Sequence, residues 1–118
     1  MIDSDTRLCC LIGHPVGHSV SPQMHNAAFK ALGLNYIYLA FDVGAEDLET
    51  AVLGLKALGA AGFNVTIPHK ISVMRFLDEV DESARAVGAV NTVVNAGGVL
   101  RGFNTDVYGV REALKIAK

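Results

Sequence analysis

The sequence predicts an α/β fold, a three-layer αβα sandwich around a mixed, mostly parallel sheet, with residues 1–118 forming one domain. Three observations predict it. Strand-like and helix-like segments alternate through the first seventy residues, which is the plan of a parallel sheet with helical crossovers. A late pair of strand-like runs is joined across Ala96-Gly97-Gly98, a hairpin signal that adds an antiparallel pair. The chain is 118 residues long and 51% hydrophobic, enough for one compact core and no more.

Leu8–Ile12 is a short apolar run ending in the turn-rich Gly13-His14-Pro15-Val16-Gly17, so it reads as a buried strand. A helix follows from Ser21, with Ser21 as N-cap, Pro22 at a first helical position, and Met24, Ala28, Ala31 and Leu32 at helical spacing before Gly33. Tyr36–Val43 is a second strand, rich in aromatic and branched residues. Glu46–Leu58 is a second helix, with Leu48, Val52, Leu55 and Ala51 on one stripe and acids in its first turn. Phe63–Ile67 alternates strictly, sending Phe63, Val65 and Ile67 to one face and Asn64 and Thr66 to the other, until Pro68 ends it. Helical segments are predicted near 71–77 and 81–87, strands at Val90–Asn95 and Val99–Phe103, and a last helix over 106–117 with Val107, Val110 and Leu114 buried. Nothing repeats, and no internal domain boundary is visible.

Composition removes several classes of function. Ten Lys and Arg against twelve Asp and Glu leave a charge of −2, with no basic footprint for nucleic acid. No apolar run approaches the ~20 residues of a membrane span, and the N-terminal residues carry acids where a secretory signal needs a basic stretch. Cys9 and Cys10 are adjacent, which suits neither a disulfide framework nor a spaced metal site. None of the twelve glycines stands in a G-x-G-x-x-G or P-loop pattern, so this chain is not expected to hold a dinucleotide by itself. A soluble, cytoplasmic domain handling a small molecule is the expectation.

In open α/β sheets, ligands lie outside the carboxyl ends of the parallel strands. Polar residues gather at those ends: His14, His18, Ser19 and Ser21 after the first strand, Asn64, Thr66 and Lys70 at the third, then Asn91, and Asn104, Thr105 and Asp106 after the last. Hydroxyls and amides with one Lys and one Asp suit a small polyhydroxylated acid. Taken singly, each has a structural reading. Ser21 can cap a helix, Asn64 and Thr66 can satisfy a strand end, Lys70 can be a solvated surface residue and Asp106 can complement a helix dipole. His14 and His18 are four apart, but they sit in a Gly/Pro loop with no carboxylate between them, a weak zinc pattern. Convergence at one end of the sheet is what argues for a site.

Four blocks resemble, in order, the N-terminal substrate-binding domain of the shikimate dehydrogenase family: Gly13–Pro22 with His25-Asn26, Gly62–Lys70, Gly88–Thr92 and Gly102–Asp106. The resemblance implies reduction of 3-dehydroshikimate to shikimate with NADPH, in aromatic amino-acid biosynthesis. It implies that Ser19 and Ser21 bind the substrate carboxylate and that Asn64, Thr66, Asn91 and Asp106 contact the ring hydroxyls and the reacting oxygen. Lys70 and Asp106 match the catalytic pair, and a serine at position 21 resembles shikimate-preferring members more than quinate-accepting ones. Family members place NADP on a Rossmann domain beyond the helix at 106–117. The chain therefore reads as the substrate half alone, expected to be inactive by itself, with self-association through surface that a second domain would otherwise cover. The alternative is a stand-alone binding or assembly module that retains the shikimate pocket without redox activity.

Overall fold

The computed structural model describes residues 2–106; the helix expected beyond Asp106, with Val107, Val110 and Leu114, lies outside the described residues. The elements are β1 (Arg7–Gly13), α1 (Ser21–Leu32), β2 (Tyr36–Asp42), α2 (Leu48–Ala57), β3 (Gly62–Val65), β4 (Glu79–Val80), α3 (Glu82–Val87), β5 (Thr92–Ala96) and β6 (Val99–Phe103). Turns of 3₁₀ helix occupy Ala45–Asp47 and Ser72–Phe76.

The six strands lie in the order β2-β1-β3-β5-β6-β4. β1 pairs parallel with both β2 and β3, β4 pairs parallel with β6, and β5 runs antiparallel to its neighbours β3 and β6. The predicted α/β class and mixed, mostly parallel sheet are therefore observed. β4 was not anticipated: two residues carry no periodicity, and the Asp78 N–H donating to Leu100 O beside its pairing with β6 is what makes it a strand.

Chain direction explains the layering. The crossover from β1 to β2 moves one way along the sheet, and that from β2 to β3 moves back past β1. Right-handed crossovers then put α1 and α2 on opposite faces. On the α2 face, Cys10, Ile12, Phe63, Val65, Val93 and Leu100 of the sheet bury against Leu48, Val52 and Leu55, with Val73 and Ala84 in the same cluster. The stripe predicted for the second helix is thus the buried one. On the α1 face, the buried cluster is Leu11, Val16 and Tyr38, with Phe29 of α1 packed on it.

Two expectations for the first helix are corrected. Its apolar stripe points outward, with Met24 65% and Leu32 71% exposed. The face that meets the sheet is His25, Asn26 and Phe29: His25 stacks on the Tyr38 ring with centroids 4.1 Å apart, and Phe29 packs on Tyr36 at 5.4 Å. Asn26 donates to Tyr38 O at 2.9 Å and accepts from Tyr38 N at 2.8 Å, filling main-chain groups of the edge strand β2 that face away from β1. Nor is Ser21 the cap. Val20 holds that position and no side chain caps the helix; the Ser19 hydroxyl accepts from the Ser21 N–H at 3.1 Å. With Pro22 in the first turn, one donor fewer needs a partner.

Candidate active site

The strand order reverses at β1, which leaves a crevice at the carboxyl ends of β1 and β3, where α/β sheets take their ligands. Both loops there are tied down. The Thr66 N–H donates to Ile12 O and the His14 N–H to Ile67 O, each at 3.0 Å, lacing the loop after β1 to the loop after β3. A Cβ on Gly13 would overlap the Thr66 methyl and come 3.0 Å from Ile67 O, so only glycine lets the two loops lie this close.

Lys70 is fixed through its neighbours. His69, 1% exposed, hydrogen-bonds Val43 O through Nε2 at 2.5 Å, and the Val43 N–H donates to Gly13 O. The Val90 N–H donates to Lys70 O at 2.8 Å. The ammonium stands free to reach outward, and Nζ lies 3.6 Å from Asp106 Oδ2, with the two side chains 36% and 69% exposed. An ion pair this open contributes about 0–1 kcal/mol to folding, so stability does not account for it.

The reversed strand β5 brings its start beside the end of β6, as the hairpin predicts: the Asn91 N–H donates to Phe103 O. Asn91 Oδ1 accepts from the Thr105 N–H at 3.0 Å, and Asn91 Nδ2 lies 3.0 Å from Thr105 Oγ1. Asn64 Nδ2 reaches Thr92 Oγ1 at 3.2 Å and Asn91 O at 3.4 Å, while its Oδ1 accepts from the Tyr38 hydroxyl at 2.9 Å. Asn104 is a structural residue, buried, with Nδ2 donating to Ala89 O and its N–H donating to Ser83 Oγ.

Of the predicted site residues, Lys70 and Asp106 meet directly, Asn64 and Asn91 share one network, and Thr66 packs on Gly13. Ser19 and Ser21 bond each other at the start of α1 and make no hydrogen bond to the other five among the described residues. Sequence reasoning missed Tyr38 and Thr92, whereas Thr105 stands among the polar residues it gathered at this end of the sheet. Thr92 follows Asn91 directly, but Tyr38 is 26 residues from Asn64, and only strand register joins them.

The remaining reactive groups offer little. His14 Nδ1 lies 2.6 Å from Asp42 Oδ1, and that carboxylate holds the imidazole above its ordinary range. Burial pushes the Cys10 thiol up to about 12 and raises Cys9 as well, so neither is a nucleophile near neutral pH. Among the described residues no three His, Cys, Asp or Glu side chains gather as a metal site, and no helix is long and apolar enough to cross a membrane.

Fold and site together define a substrate-binding α/β domain with a polar crevice at its switch point. A family model described as the shikimate dehydrogenase substrate binding domain matches residues 11–93. NADP-dependent shikimate dehydrogenase from Methanococcus maripaludis is 63% identical over 115 residues, covering 98% of this chain and 41% of that protein. Among solved structures, a shikimate dehydrogenase in complex with NADP+ superposes with TM-score 0.92 at 57% identity, covering 98% of this chain and 40% of that one. The Listeria monocytogenes enzyme, in complex with shikimate and NAD, gives TM-score 0.92 at 49% identity, again over 98% of this chain and 40% of its own. The chain belongs to the family of shikimate dehydrogenase substrate-binding domains. It spans about two fifths of the length of the curated relatives it matches.

Proposed function

We propose that this chain is the substrate-binding and catalytic half of a cytoplasmic, NADP-dependent shikimate dehydrogenase that reduces 3-dehydroshikimate to shikimate. The observation that carries the reading is the Lys70–Asp106 pair, held at the carboxyl ends of the sheet beside the Asn64–Asn91 network. NADPH supplies hydride in such a reaction. The sequence does not fit that cofactor, since none of its twelve glycines stands in a pyrophosphate-binding pattern.

This chain's own residues bind, orient and deliver a proton. Ser19 and Ser21, at the start of α1, present hydroxyls to the substrate carboxylate. Asn64, Thr66 and Asn91 take the ring hydroxyls. As the C3 carbonyl is reduced, negative charge grows on its oxygen; the Lys70 ammonium stabilises that charge and donates the proton, with Asp106 orienting it. Such acid catalysis is worth about 10²–10⁴-fold.

The test is a shikimate titration of the 118-residue chain, followed by backbone amide shifts. Saturable shifts on 19–21, 64–70, 91 and 104–106, weakened by Lys70→Ala and Ser21→Ala, are expected. An unmoved spectrum at millimolar ligand overturns a site pre-formed in this domain. By itself the 118-residue chain is expected to oxidise no NADPH with 3-dehydroshikimate, and robust turnover contradicts that part of the reading.

A further inference from the structure

The hydrogen bonds around the two site amides have a direction, and it is set at one end. The Thr105 backbone N–H can only donate, so the Asn91 atom it meets at 3.0 Å must be the carbonyl oxygen. The Thr92 hydroxyl lies 3.0 Å from that same oxygen and must donate to it as well. Its proton committed, Thr92 Oγ1 accepts, so the Asn64 atom 3.2 Å away is the NH₂ nitrogen. The second acceptor beside that nitrogen, Asn91 O at 3.4 Å, requires the same orientation. Asn64 therefore turns Oδ1 toward β2, where the Tyr38 hydroxyl donates to it at 2.9 Å. Burial holds the Tyr38 phenol well above its ordinary range, so it stays protonated as the donor. The ring is 2% exposed, stacked under His25, with its own main chain gripped by Asn26.

We propose that Tyr38 is a positioning residue of the substrate site: with Thr92 it forms a one-way relay from β2 to Thr105 that locks the donor and acceptor faces of Asn64 and Asn91. Both Asn64 N–H groups are engaged, so what Asn64 retains for a ligand is one oxygen lone pair. Asn91 Oδ1 already accepts from Thr92 and Thr105, and what Asn91 retains is one N–H. The ligand hydroxyl at Asn64 must donate, and the ligand oxygen at Asn91 must accept. This rests on the proposed function for the identity of the ligand, but the relay itself does not.

The experiment reads the two separately in the 118-residue chain. Side-chain NH₂ signals of Asn64 and Asn91 and the Thr105 backbone amide are followed by ¹H–¹⁵N NMR in wild type, Tyr38→Phe, Thr92→Val and Thr92→Ser, each then titrated with shikimate. Tyr38→Phe keeps the ring and its stack while deleting the donor. It is expected to move all three signals, including Thr105 four strands away, and to weaken shikimate about 3–10-fold, the scale of one lost hydrogen bond. Thr92→Val is expected to move the same set, and Thr92→Ser, which keeps the hydroxyl, to retain the wild-type pattern. Shifts in Tyr38→Phe confined to His25, Asn26 and Phe29 overturn the relay, because a packing role alone produces them. If Tyr38→Phe does not fold, Thr92→Val against Thr92→Ser decides by the same signals. Failure of the wild-type chain to bind shikimate overturns a shikimate site pre-formed in this domain, while the NH₂ signals still decide the relay.

Discussion

The two faces of the sheet are built differently. The α2 face is closed by apolar packing: Phe63, Val93 and Leu100 sit at 3%, 1% and 0% exposure against a helix whose stripe is wholly apolar. The α1 face is held by polar and aromatic geometry, an asparagine gripping an edge strand, a histidine stacked on a tyrosine, and a row of hydrogen bonds from Tyr38 through Asn64 to Thr92. Burial is non-directional and tolerates small displacements, whereas hydrogen bonds fix angles and the identity of each atom. The face with the weaker packing therefore defines the donors and acceptors of the candidate site, and the other supplies the stability that such a face cannot.

The largest effect expected from this contrast is on folding. Phe63→Ala on the α2 face is expected to cost about 3–5 kcal/mol, enough to unfold much of a domain this size. Phe29→Ala, partly buried on the α1 face, is expected to cost roughly half as much or less. Urea denaturation measures both, and equal costs break the comparison. Next is Gly13→Ala. The added methyl meets the Thr66 methyl and the Ile67 carbonyl, so the laced loops must separate. Overpacking of this kind costs about 1–3 kcal/mol, and the loss is expected to appear together with weakened shikimate binding in calorimetry. Unchanged binding would show that the lacing does not shape the crevice.

A smaller stability effect with a large functional one is expected at Lys70. Its carboxylate partner is 69% exposed, so Lys70→Ala and Asp106→Asn are expected to shift stability by no more than about 1 kcal/mol. Both variants should nevertheless lose shikimate-induced shifts near residues 64–70. A pair that proves strongly stabilising in thermal melts yet leaves ligand shifts intact is a structural clamp and not a site.

This contrast also decides what could be read from the sequence. The α2 face was legible because hydrophobic periodicity reports burial directly: Leu48, Val52 and Leu55 are spaced as a stripe and are buried as one. Periodicity misled on the first helix for the same reason. Met24 and Leu32 make the better apolar stripe, but the sheet there offers main-chain groups and a tyrosine ring, which His25, Asn26 and Phe29 satisfy. The turn bearing Lys70 was legible from Pro68 ending the third strand, whereas Asn91, read as part of the strand Val90–Asn95, lies just before β5. The relay was not, since Tyr38, Asn64 and Thr92 become neighbours only through the register of four strands, which a single sequence does not state. β4 escaped because two residues have no period.

The smallest expected effect lies at the rim of the crevice, where an electrostatic contact is superimposed on the laced loops. His14 is held above its ordinary value of 6.5 by the hydrogen bond to Asp42, then by that carboxylate's charge, with Glu46 adding to it. A raised folded value means that protonated His14 stabilises the native chain. That contribution is fully present below the unfolded value near 6.5 and is lost as pH rises through the higher folded value. Both side chains are more than half exposed, so salt screens the pair and the effect on folding is slight. Ring-proton NMR is expected to find His14 titrating above 6.5, and Asp42→Asn is expected to return it toward the ordinary value. The His14 main-chain bond to Ile67 O does not depend on that charge, so the loop lacing should persist on both sides of the titration. If deprotonating His14 instead displaces the amides of Thr66, Ile67 and Lys70, the crevice is held by charge as well as by backbone geometry, and the division between the two faces of the sheet has to include its rim.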